Sequence, residues 1–123
     1  MRLLLDTHVF LWWDAEAWRL PDELCAAIAS PQNEVLVSAV TVWEIAIKRT
    51  LGKLSFGRSV GKAIEKHGFL PLPITVEHAE RAGELPQLHR DPYDRLLVAQ
   101  AQLEGLVLAT VDDQILRYAV PHL

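Results

Sequence analysis

Four acidic residues stand where the pattern of this chain changes. Asp6 ends an apolar run, Glu44 and Asp94 fall in the opening turns of helical patterns, and Asp112 follows a last apolar run. Each has a structural use when taken alone. Asp6 would cap the helix after it. Glu44 would answer Thr41 in a Thr-x-x-Glu capping box, or pair with Lys48 one turn on. Asp94 would be the third-position acid of a helix capped by Asp91, and Asp112 or Asp113 would cap a short final helix. Capping does not require that strand-end and helix-start acids share one edge of one sheet. Carboxylates gathered within a few ångströms raise one another's pKa and cannot all stay ionised without a cation among them. An all-oxygen donor set favours Mg²⁺ or Mn²⁺. Zinc would ask for His or Cys at short spacing, but His8 stands alone beside Asp6, and neither His67 nor His89 has a recognisable ligand spacing. A hard divalent ion polarises a phosphoryl oxygen and promotes ionisation of a water, so the chemistry to expect is phosphodiester hydrolysis without a protein nucleophile.

The elements that must hold these acids follow from periodicity. Leu3-Leu4-Leu5 is a buried strand ending at Asp6, and Val9, Phe10, Trp12 and Trp13 begin a short apolar helix. A second helix runs from Pro21-Asp22 to the Ser30-Pro31 break, and Glu34 to Ser38 forms the next strand. Residues Val40 to Leu51 form a helix closed by Gly52, and another gathers Val60, Ala63, Ile64 and His67 before Gly68. Phe69 to Pro73 can only be an irregular or edge strand, because its prolines cannot donate to a ladder. Thr75 to Leu85 reads as a helix with Glu77, Glu80 and Arg81 facing water. Asp91-Pro92 then starts the central helix, whose Leu96, Leu97, Val98, Ala99, Ala101 and Leu103 cover most of its circumference until Gly105 ends it. Leu106 to Thr110 is a third firm strand, a short helix passes through Ile115 and Leu116, and the tail around Val120 is expected to add a last short strand. Strands alternating with helices specify an α/β fold with a parallel sheet covered on both faces. Sites in such sheets form beyond the carboxyl ends of the strands, where strand order reverses, and all four acids belong to that rim.

Composition agrees with one domain spanning residues 1–123, 50% hydrophobic and 23% charged, large enough to bury a core without disulfides. The single Cys25 sits between Leu24 and Ala26 in a helical pattern, which favours packing over thiol chemistry. No run approaches the roughly 18 apolar residues of a membrane span, and Met1-Arg2 leads straight into the first strand without a signal-peptide core, so the expected location is the cytoplasm. The net charge of −4 hides a polarity. Residues 48–66 hold six cations against Glu65 alone, +5, which leaves −9 for the remainder. Lys48, Arg49, Lys53 and Arg58 in that stretch are candidate contacts for a polyanion, with a solvated helical face as the competing explanation.

Leu3 to His8, Ser38 to Glu44, Asp91 to Ala101 and Leu108 to Asp112 together resemble, in order and spacing, the successive motifs of the PIN-domain family. The chain looks most like small single-domain members of the VapC toxin type, in which the Asp-Pro-x-Asp-Arg form of the central motif is common. That resemblance implies a three-layer α/β/α sandwich with a central, mostly parallel sheet. It also implies Mg²⁺- or Mn²⁺-dependent endoribonuclease activity, homodimerisation and neutralisation by a VapB-type antitoxin. By position, Asp6, Glu44 and Asp94 match the core acids, Asp112 the more variable fourth, and Thr110 the small hydroxyl residue that accompanies it. Asp91 is assigned to capping and Asp113 to the surface.

The constellation sets expected roles. Asp6 and Asp94 hold the principal ion, Glu44 orients the attacking water or accepts its proton, and Asp112 supports a second ion or the hydration shell. RNA lies across the rim, with phosphates answered by the basic stretch. The adjacent Trp12 and Trp13 cannot both point inward equally, so at least one is expected in a groove that receives a partner helix. Other classes fit less well. A haloacid-dehalogenase-like phosphatase wants a second Asp where His8 stands, and a response-regulator receiver wants an acidic pair where only Asp6 is present. A PIN-like binding or scaffolding module without turnover remains as the non-enzymatic rival.

Overall fold

Three consecutive leucines buried on both faces set the middle of the sheet. In the computed structural model, which describes residues 1–123, β1 (Arg2–Leu5) lies between β2 (Glu34–Ser38) and β4 (Val107–Ala109). β3 (Leu70–Leu72) completes the order β3-β2-β1-β4, with every pair parallel. Leu4 is flanked by Leu36 and Leu108 in register, and Leu3, Leu4 and Leu5 have no exposed surface. Pro71 explains why β3 occupies an edge, as its sequence predicts.

Alternation along the strands divides the core in two. Leu3, Leu5, Val35, Val37 and Ala109 pack against α1 (Thr7–Ala15), α2 (Asp22–Ala29) and α4 (Val60–Lys66) through Phe10, Leu24 and Ile64. Leu4, Leu36, Leu72 and Leu108 face α6 (Pro92–Glu104) through Leu97, Val98 and Ala101. Each buried leucine contributes roughly 1.5–3 kcal/mol through burial alone, so a one-residue slip of any strand would exchange the two cores at prohibitive cost. Outside α6 lies α5 (Val76–Glu84), joined to it by buried His78, whose Nε2 is 2.9 Å from Glu104 Oε1. The third helix, α3 (Ala39–Thr50), leaves the end of β2 directly, with Val40 in one core and Ile45 in the other. The result is the expected α/β/α sandwich, with a sheet that is parallel throughout. No helix is long and apolar enough to cross a membrane.

Three details differ from the sequence reading. β4 stops at Ala109, which frees Thr110 to turn its hydroxyl toward β1. The final helix is a 3-10 turn, Ile115–Arg117. The strand around Val120 is only a single bridge between Leu108 and His122, too short to hold a ladder of its own.

Candidate metal centre

The strand order reverses between β1 and β4, and their carboxyl ends deliver the first part of the centre. The ladder continues one step beyond the strands, with the Asp6 N–H donating to Ala109 O at 3.0 Å, so Asp6 and Thr110 leave the sheet side by side. Asp6 caps α1 by accepting the Val9 N–H at 2.7 Å, and its other oxygen accepts the Thr110 hydroxyl. It is 1% exposed. Burial pushes its carboxyl up, the Thr110 and Val9 donors and the charge of His8 draw it down, and Asp112 pushes it up again. Capping and a place in the acidic cluster are therefore one geometry, not alternatives.

Glu44 reaches the rim from α3. The cap of that helix is Ser38, whose Oγ accepts the Val40 N–H at 3.0 Å, so Thr41 lies inside the first turn and the Thr-x-x-Glu box does not form. Thr41 Oγ1 instead meets Thr7 Oγ1 at 3.1 Å, and the Thr7 hydroxyl donates to Glu44 Oε1 at 2.7 Å. Lys48 Nζ takes the other oxygen at 2.5 Å. The alternative of a Glu44–Lys48 pair one turn apart is thus the one realised.

Asp94 is carried by α6. Asp91 accepts the N–H groups of Tyr93 and Asp94 at 2.8 and 3.2 Å, and Pro92 fills the first helical position. Burial first, then the negative charges of Asp91, Asp6 and Glu44, push the Asp94 carboxyl up to about 6, against the lowering effect of its hydrogen bond to His89. Asp112 lies half-buried beside it in space, its N–H donating to Thr110 Oγ1 at 3.0 Å and its Oδ1 accepting the Gln114 N–H at 2.8 Å. Asp113 is exposed.

The tightest gathering of donor atoms is His89, Asp94 and Asp112, one from each within 4.8 Å of the others. Asp6 and Glu44 stand outside that group but act electrostatically on Asp94. This is a donor set that fits a small divalent ion: two carboxylates with further acids acting on one of them, and one imidazole. The cation already among them is Lys48, whose ammonium is stabilised by Glu44 first and then, against the cost of burial, by Asp91 and Asp94.

Sequence spacing missed His89. It lies on the loop before α6, and buried Arg95 brings it in. The Arg95 guanidinium donates to the carbonyls of Ala82 (2.8 Å), Leu85 (3.1 Å), Pro86 (3.0 Å) and His89 (3.4 Å) and to Tyr118 Oη (3.1 Å). His89 Nε2 then sits 2.8 Å from Asp94 Oδ2.

The basic candidates are scattered in their engagements. Arg49 donates to the carbonyls of Phe56 and Arg58, while Arg58 pairs with Asp14, which also meets His67 at 2.7 Å. Burial alone would raise the Asp14 carboxyl, but those two donors hold it below the usual range. Lys53 is exposed and forms no ion pair. Trp12 and Trp13 are both half-buried against the core, and Arg19 covers Trp12 at 4.3 Å. An apolar groove of about 910 Å³ lies elsewhere, lined by Val42, Trp43, Ala46, Ile64, Phe69 and Leu70.

The chain matches the pattern of the PIN domain family over residues 3–121. The chain belongs to that family. Over 128 residues it is 32% identical to Ribonuclease VapC22 of Mycobacterium tuberculosis, covering 98% of this chain and 94% of that protein. Its fold is similar to that of VapBC2 from Rickettsia felis bound to a promoter DNA fragment, with a TM-score of 0.72 at 16% identity, over 100% of this chain and 98% of that one. It is also similar to a toxin-antitoxin complex from Klebsiella pneumoniae, with a TM-score of 0.64 at 19% identity, over 98% of this chain and 95% of that one.

Proposed function

We propose that this chain is a Mg²⁺- or Mn²⁺-dependent endoribonuclease, the toxin of a VapBC-type pair, acting in the cytoplasm as a homodimer held in check by a VapB-type antitoxin. The observation that supports the reading is the gathering of acids at one rim: Asp94 lies with Asp112 and His89, and burial together with the charges of Asp91, Asp6 and Glu44 raises the Asp94 carboxyl, a strain that a cation would relieve. The family membership and the relative named as a ribonuclease support the substrate class.

Asp6, Asp94 and Asp112 would hold the ion, with Glu44 beside it. When bound, the ion supplies charge to the phosphoryl oxygen and acidity to a water. The residues do the rest. Thr110 keeps the Asp6 carboxylate oriented, Thr7 and Lys48 fix both oxygens of Glu44, and the Glu44 carboxylate orients the water that attacks phosphorus. Lys48, Arg49, Lys53 and Arg58 supply the positive charge that RNA phosphates meet, so binding weakens as salt rises.

Purified chain incubated with RNA is expected to cut it with Mg²⁺ or Mn²⁺ and to stop in chelator. Asp6→Asn should lower the rate at least about a hundredfold, since loss of even an outer partner of a metal ligand costs about 10–100-fold. Undiminished cleavage by the folded variant would overturn the assignment.

A further inference from the structure

We infer that His89 is a metal ligand, and that its Nε2 joins the carboxylates of Asp94 and Asp112 in a mixed nitrogen–oxygen site that binds Mn²⁺ in preference to Mg²⁺. This rests on the metal-dependent reading above and adds to it a donor that the four acids do not include.

One of the distances matches neighbouring ligands on a single ion, and the others are bounded close to its span. Donors about 2.1 Å from an octahedral ion stand about 3.0 Å apart when adjacent and about 4.2 Å apart when opposite. Nε2 of His89 and Oδ2 of Asp94 are 2.8 Å apart, and all three donor atoms lie within 4.8 Å of one another. In the metal-free chain a proton occupies the line between Nε2 and Oδ2. An ion bound to both atoms takes its place, and the imidazole then carries its proton on Nδ1.

The way His89 is held is independent of that cluster. Its N–H donates to Tyr118 Oη at 3.0 Å, and its carbonyl accepts from Arg95 and Tyr118 at 3.4 and 3.3 Å. Both clamping residues are buried, at 8% and 5% exposure. Residue 89 is therefore secured through its main-chain atoms, in a loop held also at the carbonyls of Pro86 and Leu88, and a side chain of any type at 89 would leave those bonds in place. The ring makes one hydrogen bond, to Asp94, and remains partly open to the rim. Asp94 does not need it for local structure, because the α6 N-terminus and its cap belong to Asp91. Those main-chain bonds fix where residue 89 sits, and from there its imidazole reaches Asp94 at the centre. Nitrogen donors suit first-row transition ions far better than Mg²⁺, which keeps oxygen ligands and water.

The test is electron spin-echo spectroscopy of the full chain loaded with Mn²⁺, with histidine at natural abundance and then labelled with ¹⁵N. Modulation from a directly bound nitrogen is expected, changing with the label and disappearing in His89→Gln but not in His8→Gln. Calorimetry should show Mn²⁺ affinity falling at least about tenfold in His89→Gln with Mg²⁺ affinity within twofold of the parent. Absence of nitrogen coupling in the unsubstituted chain, coupling that follows His8, or equal loss of both ions overturns the inference, and the spectrum of the parent decides even if the variant folds poorly. If Mn²⁺ binds without nitrogen coupling and RNA is still cut, His89 fails as a ligand while the nuclease reading stands. If no divalent ion binds at all, both fall.

Discussion

Replacing Asp94 with Asn should make the metal-free protein more stable, although it removes a residue of the proposed site. The side chain is 14% exposed, and burial together with Asp91, Asp6 and Glu44 raises its carboxyl from 3.8 to about 6. A carboxyl whose pKa is higher in the folded chain favours folding in its neutral form. The benefit is complete below pH 3.8 and is lost as pH rises through about 6, so the folded chain carries the full penalty at pH 7.5. Two units of pKa correspond to on the order of 3 kcal/mol, and Asn presents the neutral shape while its carbonyl still accepts from His89. For a domain of this size that is a rise in Tm of roughly 10 °C. Thermal melts of parent and Asp94→Asn in chelator at pH 7.5 should show this gap, about half of it in free energy should survive at pH 5, and little should remain by pH 4. Mn²⁺ should raise the parent's Tm and leave the variant nearly unmoved. A variant melting at or below the parent at pH 7.5, or a gap that fails to narrow by pH 5, would refute the claim that mutual repulsion and burial strain this rim.

Two further substitutions probe the supports. Thr110→Val leaves the buried Asp6 carboxylate with the Val9 N–H as its remaining donor and should cost about 1–3 kcal/mol in urea unfolding at neutral pH, so an unchanged midpoint would show that the hydroxyl is dispensable. Arg95→Met deprives the carbonyls of Ala82 and Leu85 of their guanidinium donor and should cost about 3 kcal/mol or more; Arg95→Lys should recover less than half, because an ammonium cannot span the same set of acceptors. Full recovery with Lys would mean that charge, not the shape of the fork, holds the loop.

How much of this was legible in the chain depends on which atoms carry each contact. Asp6 could be placed because three buried leucines can only be a central strand, and a strand must end somewhere. Asp94 could be placed because Asp91-Pro92 starts a helix with little ambiguity. The edge position of β3 followed from Pro71. Glu44 was harder, since Ser38 and Thr41 are both competent caps, and the choice fell to where β2 ended. His89 was not legible. It stands five residues before Asp94, off any helical repeat, and four of the five acceptors that fold its loop inward are backbone carbonyls, which have no residue identity to read. Adjacency says that Trp12 and Trp13 diverge, but not that both lie half-buried against the core with Arg19 over Trp12, nor that a helix later in the chain lines an apolar groove of its own.

The order in which the rim is completed has a consequence for synthesis. β4 is last in the chain yet lies beside the first strand, and it brings Thr110 and Asp112 with it. A ribosome that has translated only as far as α6 has made Asp6, Glu44 and Asp94 but not the hydroxyl that holds the first of them, nor the acid that joins His89 and Asp94 in the proposed centre. Under the function proposed above, the centre therefore stays incomplete until β4 has been made and has joined β1.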